Sequence, residues 1–237
     1  MCGRFVVASA GSELVGVLRV DLVGDDLPRP SFNVAPTDRV AIVLDSAKTD
    51  PPTRRLEAAR WGLVPAWAKS PSLGVRAINA RSEAAAHKPM FRRALDARRA
   101  VVPATGYYEW RNVDGTKMPY FIHPADRSPL LMAGLYEWWQ DATRPDDDPA
   151  RWLLSFTILT CSATDGLAAI HDRMPLFLDP GHVDAWLDVA ADDVGDLLDA
   201  AVAAAPAVAT GVEAYPVDRA VGNVRNDSPH LIDPVGA

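Results

Sequence analysis

Ala100-Val101-Val102-Pro103-Ala104-Thr105-Gly106-Tyr107-Tyr108-Glu109-Trp110 decides the fold class. β-Branched and aromatic side chains dominate this stretch, the composition of a pleated, half-buried strand. Runs of the same character recur at residues 40–45, 56–63, 119–123, 130–138, 153–161 and 212–217, with Pro and Gly in most of the gaps. Helical signals are fewer. They comprise residues 11–19, a segment from Pro89 to Arg98 with Pro at the first helical position, and residues 183–204. In the last, Val183, Trp186, Leu187, Val194, Leu197, Leu198, Ala201 and Val202 sit near helical spacing with Asp residues opposite, as suits a helix covering a sheet. Strands and helices do not alternate regularly. The order therefore predicts an α+β domain with a mainly antiparallel sheet rather than a doubly wound one.

A chain of 237 residues, 49% hydrophobic with 7 Trp, builds a proper core and suits one domain, here residues 1–237. No run approaches the ~20 apolar residues of a membrane span. The start, Met1-Cys2-Gly3-Arg4-Phe5, lacks the basic head and apolar run of a secretory signal. Two cysteines form neither a disulfide scaffold nor a four-ligand zinc site. A soluble cytoplasmic protein is expected, with no metal or organic cofactor and nothing demanding more than a monomer. The net charge of -7 is unevenly spread: residues 1–130 hold 19 basic and 13 acidic residues, residues 131–237 hold 5 and 18. Residues 54–99 alone hold 11 basic and 3 acidic, a local field of the kind a phosphate backbone responds to and equally the pattern of a solvated Arg-rich face. An acidic loop at about 141–149, containing Asp146-Asp147-Asp148, and a short C-terminal tail at about 230–237 complete the organisation.

Cys2 is placed for chemistry. Removal of Met1 exposes a residue bearing both a thiol and an α-amine of pKa ~7.7–8.0, partly neutral near pH 7. An aldehyde meeting this pair forms an imine with nitrogen, and sulfur then closes a five-membered thiazolidine, which an internal Cys or Lys cannot do. The alternative is an incidental cysteine near a frayed end. Gly3 supplies flexibility and Arg4 a fixed cation behind the nucleophile, which suits an anionic substrate. Glu109, an acid amid aromatics, is a candidate general acid or base, or else a buried carboxylate paired with an Arg. Glu137, in Leu135-Tyr136-Glu137-Trp138, has the same setting, and composition does not separate the two. His171, in His171-Asp172-Arg173-Met174-Pro175, can shuttle protons, with Arg173 as a phosphate clamp; a structural histidine is the other reading. Asn79 offers a donor and an acceptor beside Arg81, or serves as a turn or cap residue. Trp61, Trp67, Tyr107, Tyr108 and Trp110 are candidates for stacking on unpaired bases, against the commoner role of core aromatics.

Taken together these segments resemble the SOS-response-associated peptidase (SRAP) family of abasic-site processing proteins. The likeness begins at Met1-Cys2-Gly3-Arg4-Phe5 and runs through Phe32-Asn33-Val34-Ala35-Pro36-Thr37, Trp61-Gly62-Leu63-Val64-Pro65-Ala66-Trp67 and Asn79-Ala80-Arg81-Ser82-Glu83. It continues from Pro103 to Trp110 and through Lys117-Met118-Pro119-Tyr120-Phe121, Ala133-Gly134-Leu135-Tyr136-Glu137, Thr157 to Thr160 and His171 to Pro175. Val221-Gly222-Asn223 and Asn226-Asp227-Ser228-Pro229 close it. The resemblance implies a β-barrel-like core with flanking helices and a positive channel for single-stranded DNA. It implies that mature Cys2 traps the aldehyde of an abasic sugar as a thiazolidine crosslink, shielding the lesion during the DNA damage response. It implies Asn79, Glu109 and His171 as catalytic companions, and Arg4, Arg81, Trp110 and Arg173 as DNA contacts. The preference for Glu109 over Glu137 comes from the resemblance alone. It also implies nucleoid association when DNA is damaged. The acidic loop looks like an insertion that should lie away from DNA, and Cys161 reads as a buried small hydrophobe.

Two other classes fit some of the same residues. An N-terminal-nucleophile peptidase or amidohydrolase also exposes a leading Cys, with the amine as base, and the family's name records a peptidase activity suited to self-processing of the first residue. A non-catalytic single-strand-binding module needs only the basic and aromatic residues and is indifferent to Cys2. A chain that keeps Met1 has no free Cys2 amine and cannot form the ring.

Overall fold

The computed structural model describes residues 2–8 and 11–236; Met1, whose removal the sequence chemistry requires, lies outside them. Chain order begins β1 (Arg4–Val7), α1 (Gly11–Val17), β2 (Leu22–Val23), β3 (Ser31–Val34), β4 (Arg39–Ser46), β5 (Thr53–Trp61) and β6 (Asn79–Arg81). It continues with α2 (Ser82–Ala85), α3 (Arg92–Ala97), β7 (Arg99–Ala104), β8 (Gly106–Val113), β9 (Thr116–Pro124) and β10 (Leu130–Gln140). It closes with β11 (Trp152–Ser162), α4 (Asp165–Ala168), β12 (Arg173–Pro175), α5 (Val183–Leu187), α6 (Val194–Ala209) and β13 (Val212–Pro216).

Five strands form a ring in the order β11, β10, β7, β4, β5. Four joints are antiparallel and one is parallel, where Ser155 and Phe156 meet Arg60 and Trp61. Closure leaves the ring without a free edge. A second, antiparallel sheet runs β13-β9-β8-β1-β3. The two share a core: Phe5 of β1 sits edge-on to Trp61 of β5 at 4.8 Å, and Trp61 Nε1 donates to Ile78 O at 2.8 Å. The fold is thus the expected α+β domain with a barrel-like, mainly antiparallel core. No described helix is long and apolar enough to cross a membrane.

Residues 100–110 are not one strand. They break at Thr105, whose N–H donates to Val6 O (2.8 Å) and whose Oγ1 accepts from Ala8 N (2.9 Å), so the chain swings from barrel to second sheet while tied to β1. Both halves are strand-like in composition, and composition carries no signal of a change of sheet.

Residues 183–204 are likewise two helices, separated at 188–193. Two Asp residues of this stretch shape the break instead: Asp188 accepts from Ala190 N in the turn, and Asp193 caps α6 by accepting from Asp196 N. Buried Arg99 donates to the carbonyls of Trp186 and Asp188, and to those of Leu95 and Asp96, closing the ends of α5 and α3 together. Pro89 lies in the turn ahead of α3, which starts later, at Arg92.

The C-terminal segment is docked. Leu231 is buried, Tyr215 OH donates to Ile232 O at 2.8 Å, and Val235 N donates to Pro216 O at 3.0 Å. The acidic loop joins β10 to β11 and its charge is partly offset: Arg144 pairs with Asp141 and Asp148, and Arg151 pairs with Asp146. At the usual strand rise it stands roughly 25 Å along β11 from Thr160.

Candidate active site

The β1–β8 ladder sets Arg4 opposite Tyr108 and Phe5 opposite Tyr107, so the residues ahead of β1 run alongside Glu109. From another side, β6 pairs in parallel with β11, Asn79 opposite Ile158. This brings Asn79 Nδ2 to the Cys2 carbonyl oxygen, to which it donates at 2.7 Å. The other end of the amide, Oδ1, is buried with no hydrogen-bond partner among the described residues. An acceptor left open in this way is costly unless something binds it.

In the chain that retains Met1, Cys2 has no exposed surface. Burial, and then the nearby charge of Glu109, push its thiol far above the ordinary range, holding it as S–H. Glu109 itself is 5% exposed and accepts from Trp110 N at 3.2 Å through Oε1. Tyr107 borders the same group: burial, then Cys2 and Glu109, raise its phenol well above its usual value. Cys161 is buried as expected, its thiol pushed up to about 11 by desolvation.

His171 enters by way of β11. Thr160 faces Arg81 of β6 on one side and Pro175 of β12 on the other, so Asn79-Ala80-Arg81 and His171-Asp172-Arg173 flank the same strand end. His171 Nδ1 accepts from Arg173 N at 3.0 Å and lies 2.8 Å from Asp172 Oδ1. One nitrogen cannot accept and donate at once. The neutral ring keeps its proton on Nε2 and takes the Arg173 N–H, whereas the protonated ring offers Nδ1–H to Asp172.

The candidate DNA contacts divide. Arg81 is exposed, and Trp110 is half-buried against the cluster of Tyr108 and Phe121. Arg4 turns inward: Nη1 donates to Asn33 Oδ1 and to Val221 O, both at 2.8 Å. Arg173 is bound at both terminal nitrogens, to Glu83 and to Thr160 O. Trp61, Tyr107 and Tyr108 are fully buried and unavailable for stacking, while Trp67 is 56% exposed. The basic window is partly consumed by the fold. Arg54 pairs with Asp45 and Asp184, Arg55 with Glu57 and Arg98 with Glu137, while Arg99 is buried. Lys69, Arg76, Arg81, Lys88, Arg92 and Arg93 remain on the surface.

Sequence reasoning missed Asn33. Buried between Phe32 and Val34, it accepts from Arg4 and donates through Nδ2 to the carbonyls of Val221, Asn223 and Asn226, binding the C-terminal segment to the strand beside β1. A polar residue inside an apolar strand, the feature that singles out Glu109, marks it too.

The family model described as SOS response associated peptidase (SRAP) matches residues 1–224. The chain belongs to the SRAP family. Among relatives, it is 35% identical to the abasic site processing protein YoqW of Bacillus subtilis over 98% of this chain and 99% of that one. It is 33% identical to the abasic site processing protein YedK of Escherichia coli, over 99% and 100% of the two chains. Of solved structures, a Bacteroides thetaiotaomicron protein superposes with a TM-score of 0.80 at 22% identity, covering 99% of this chain and all of that one. A phage-related protein of Bordetella bronchiseptica gives 0.69 at 29% identity, over 92% and 95%. In this SRAP chain, residues beyond the matched 224 still hold the site's surroundings in place: Asn226 O accepts from Asn33, and Asp227 Oδ1 accepts from Phe32 N at 2.6 Å.

Proposed function

We propose that this SRAP protein processes abasic sites in single-stranded DNA by forming a thiazolidine crosslink through Cys2 once Met1 is removed. The observation that carries this reading is the Asn79 hydrogen bond to the Cys2 carbonyl, with Glu109 beside the thiol. Relatives named abasic site processing proteins support the substrate class.

The chemistry uses what these residues supply. The closed abasic sugar has no aldehyde until its ring opens, and Glu109 is the carboxyl available to pass a proton to the ring oxygen. Asn79 Nδ2 fixes the Cys2 carbonyl and its Oδ1 accepts from the freed amine, turning the nitrogen lone pair to the aldehyde carbon. That carbon bonds first to nitrogen and then to sulfur, its oxygen leaving as water. No oxidant or reductant enters. Removal of Met1 also places an amine beside the thiol, and its protonated form draws the thiol downward from its buried value. His171 moves protons during imine formation and ring closure, its Nδ1 exchanging the Arg173 N–H for Asp172 as the ring gains a proton. Exposed Arg81 and its basic neighbours hold the flanking phosphates, and a single strand leaves the damaged sugar accessible.

Met1-free protein mixed with an abasic single-stranded oligonucleotide should give a heat-stable species with the summed mass less one water. Cys2→Ala should abolish it, and an intact strand should give none. No adduct from Met1-free wild type, or an equal adduct from Cys2→Ala, overturns the reading. Amide or peptide turnover without DNA would instead place the protein with the N-terminal-nucleophile hydrolases, and equal binding of intact and abasic strands without adduct would make it a binding module.

A further inference from the structure

We propose that Glu83 is a positioning residue of this site: through Arg173 it holds the His171 segment against the strand that carries Asn79, and it occupies the place on Arg173 that a DNA phosphate would take. The proposal rests on the Cys2 reading above.

The geometry is that of a strut. β6 and β12 lie on opposite edges of the end of β11, meeting at Thr160. Glu83, in the first turn of α2 directly after β6, reaches across to Arg173 of β12, with Oε1 to Nη1 at 2.6 Å and Oε2 to Nη2 at 2.8 Å. Arg173 Nη2 also donates to Thr160 O at 2.7 Å, so the guanidinium touches both outer strands' common partner. Two parallel charge-assisted bonds fix direction as well as distance, which a single lysine contact would not. The Arg173 backbone N–H donates to His171 Nδ1, so the strut ends at the imidazole.

The donor count sets the second half of the proposal. A guanidinium has five N–H groups. Here three are spent, and Nε is buried with no partner among the described residues. One Nη1 proton is left, too few for a bidentate grip on phosphate unless Glu83 lets go. Glu83 stays ionised across any practical assay range, its carboxyl held at about 2 chiefly by the Arg173 hydrogen bonds.

Glu83→Gln removes the charge and weakens the fork, freeing Arg173. Two quantities on Met1-free protein then move in opposite directions. Affinity for an intact single-stranded oligonucleotide should rise about threefold, with a steeper salt dependence by roughly one phosphate contact. The single-turnover adduct rate at saturating abasic strand should fall roughly tenfold, as misplacement of a reacting group produces. Asp96→Asn, the same charge change at an exposed residue of α3, should alter neither. Arg173→Lys, which keeps one ionic contact and loses the Thr160 bond, should slow the adduct without tightening binding. A residue that merely supports the fold would lower both quantities together with the melting temperature, and that result overturns the proposal, as does an equal affinity gain in Asp96→Asn or an unchanged adduct rate in Glu83→Gln. If wild type forms no adduct, the Cys2 reading fails by itself, while the affinity and salt measurements still report whether Glu83 masks Arg173.

Discussion

Gly106-Tyr107-Tyr108-Glu109-Trp110 on β8 and Gly134-Leu135-Tyr136-Glu137-Trp138 on β10 share the pattern Gly-X-Tyr-Glu-Trp. Locally they fold alike. Each glutamate is 5% exposed, and each accepts the backbone N–H of the tryptophan that follows. What differs is the neighbour supplied by the sheet. β10 belongs to the barrel, where Arg98 donates to Glu137 Oε2 at 3.1 Å and the carboxylate becomes one half of an ion pair. β8 belongs to the second sheet, where β1 delivers the start of the chain and Glu109 lies beside the Cys2 thiol. Local sequence fixes burial, and the pairing strand fixes the chemistry that burial serves.

The largest expected effect separates the two acids directly. Glu109→Gln should slow single-turnover adduct formation by about 10²-fold or more, the range of a lost general acid or base, with affinity for an intact strand unchanged. Glu137→Gln should stay within about twofold of wild type, since its carboxylate lies among barrel residues. Adduct rates followed on denaturing gels decide it. Equal losses in the two variants would break the comparison, and a loss confined to Glu137→Gln would reverse it.

The same contrast explains what could be read beforehand. The strands of the barrel were legible because their β-branched runs are set by burial on a pleated surface, a local property. The break at Thr105 was not, because changing sheets is decided by contacts with Val6 and Ala8, about a hundred residues earlier. Cys2, Asn79 and Glu109 stood out as polar or reactive residues in odd settings, yet their convergence depends on β1–β8 and β6–β11 pairing. The share of the basic window that stays free was illegible for the same reason. Arg98 adds to the basic charge of residues 54–99, but Glu137, which pairs with it, is remote in sequence, as is Asp184, the second partner of Arg54 after Asp45. The segment of Arg173 likewise carries no sign of Glu83, the carboxylate that pairs with it from 90 residues earlier.

An intermediate effect tests the two glycines. A Cβ at Gly106 would stand 2.5 Å from Ile122 O and 2.6 Å from the Phe121 ring. The first obstacle is backbone of the paired strand and cannot step aside. At Gly134 the nearest atom is the Val102 Cγ2 methyl at 2.9 Å, which a rotamer change relieves in part. Gly106→Ala should therefore cost about 1–3 kcal/mol in urea denaturation, as overpacking does, and also slow the adduct, because β8 carries Glu109. Gly134→Ala should cost less, about 1 kcal/mol, with the adduct rate intact. A larger loss at Gly134 would show that the barrel, and not the second sheet, is the tighter of the two settings.

The smallest effect concerns pH and the ion pair at Glu137. Burial raises its carboxyl above the usual carboxylate range, outweighing the lowering by Arg98 and by the Trp138 N–H. The folded chain thus holds this proton more tightly than the unfolded chain. That contribution to stability is present at pH below the unfolded value of about 4.3 and is lost as the pH rises through the folded value. A glutamine at this position stays neutral throughout and loses nothing. The stability of Glu137→Gln relative to wild type, from urea denaturation, should therefore rise between pH 4 and pH 7, by less than about 1 kcal/mol in all, because Arg98 and the Trp138 N–H offset part of what burial contributes. Movement in the opposite sense would mean that Arg98 outweighs burial, and the two glutamates would then differ in the sign of their electrostatics as well as in the strand that faces them.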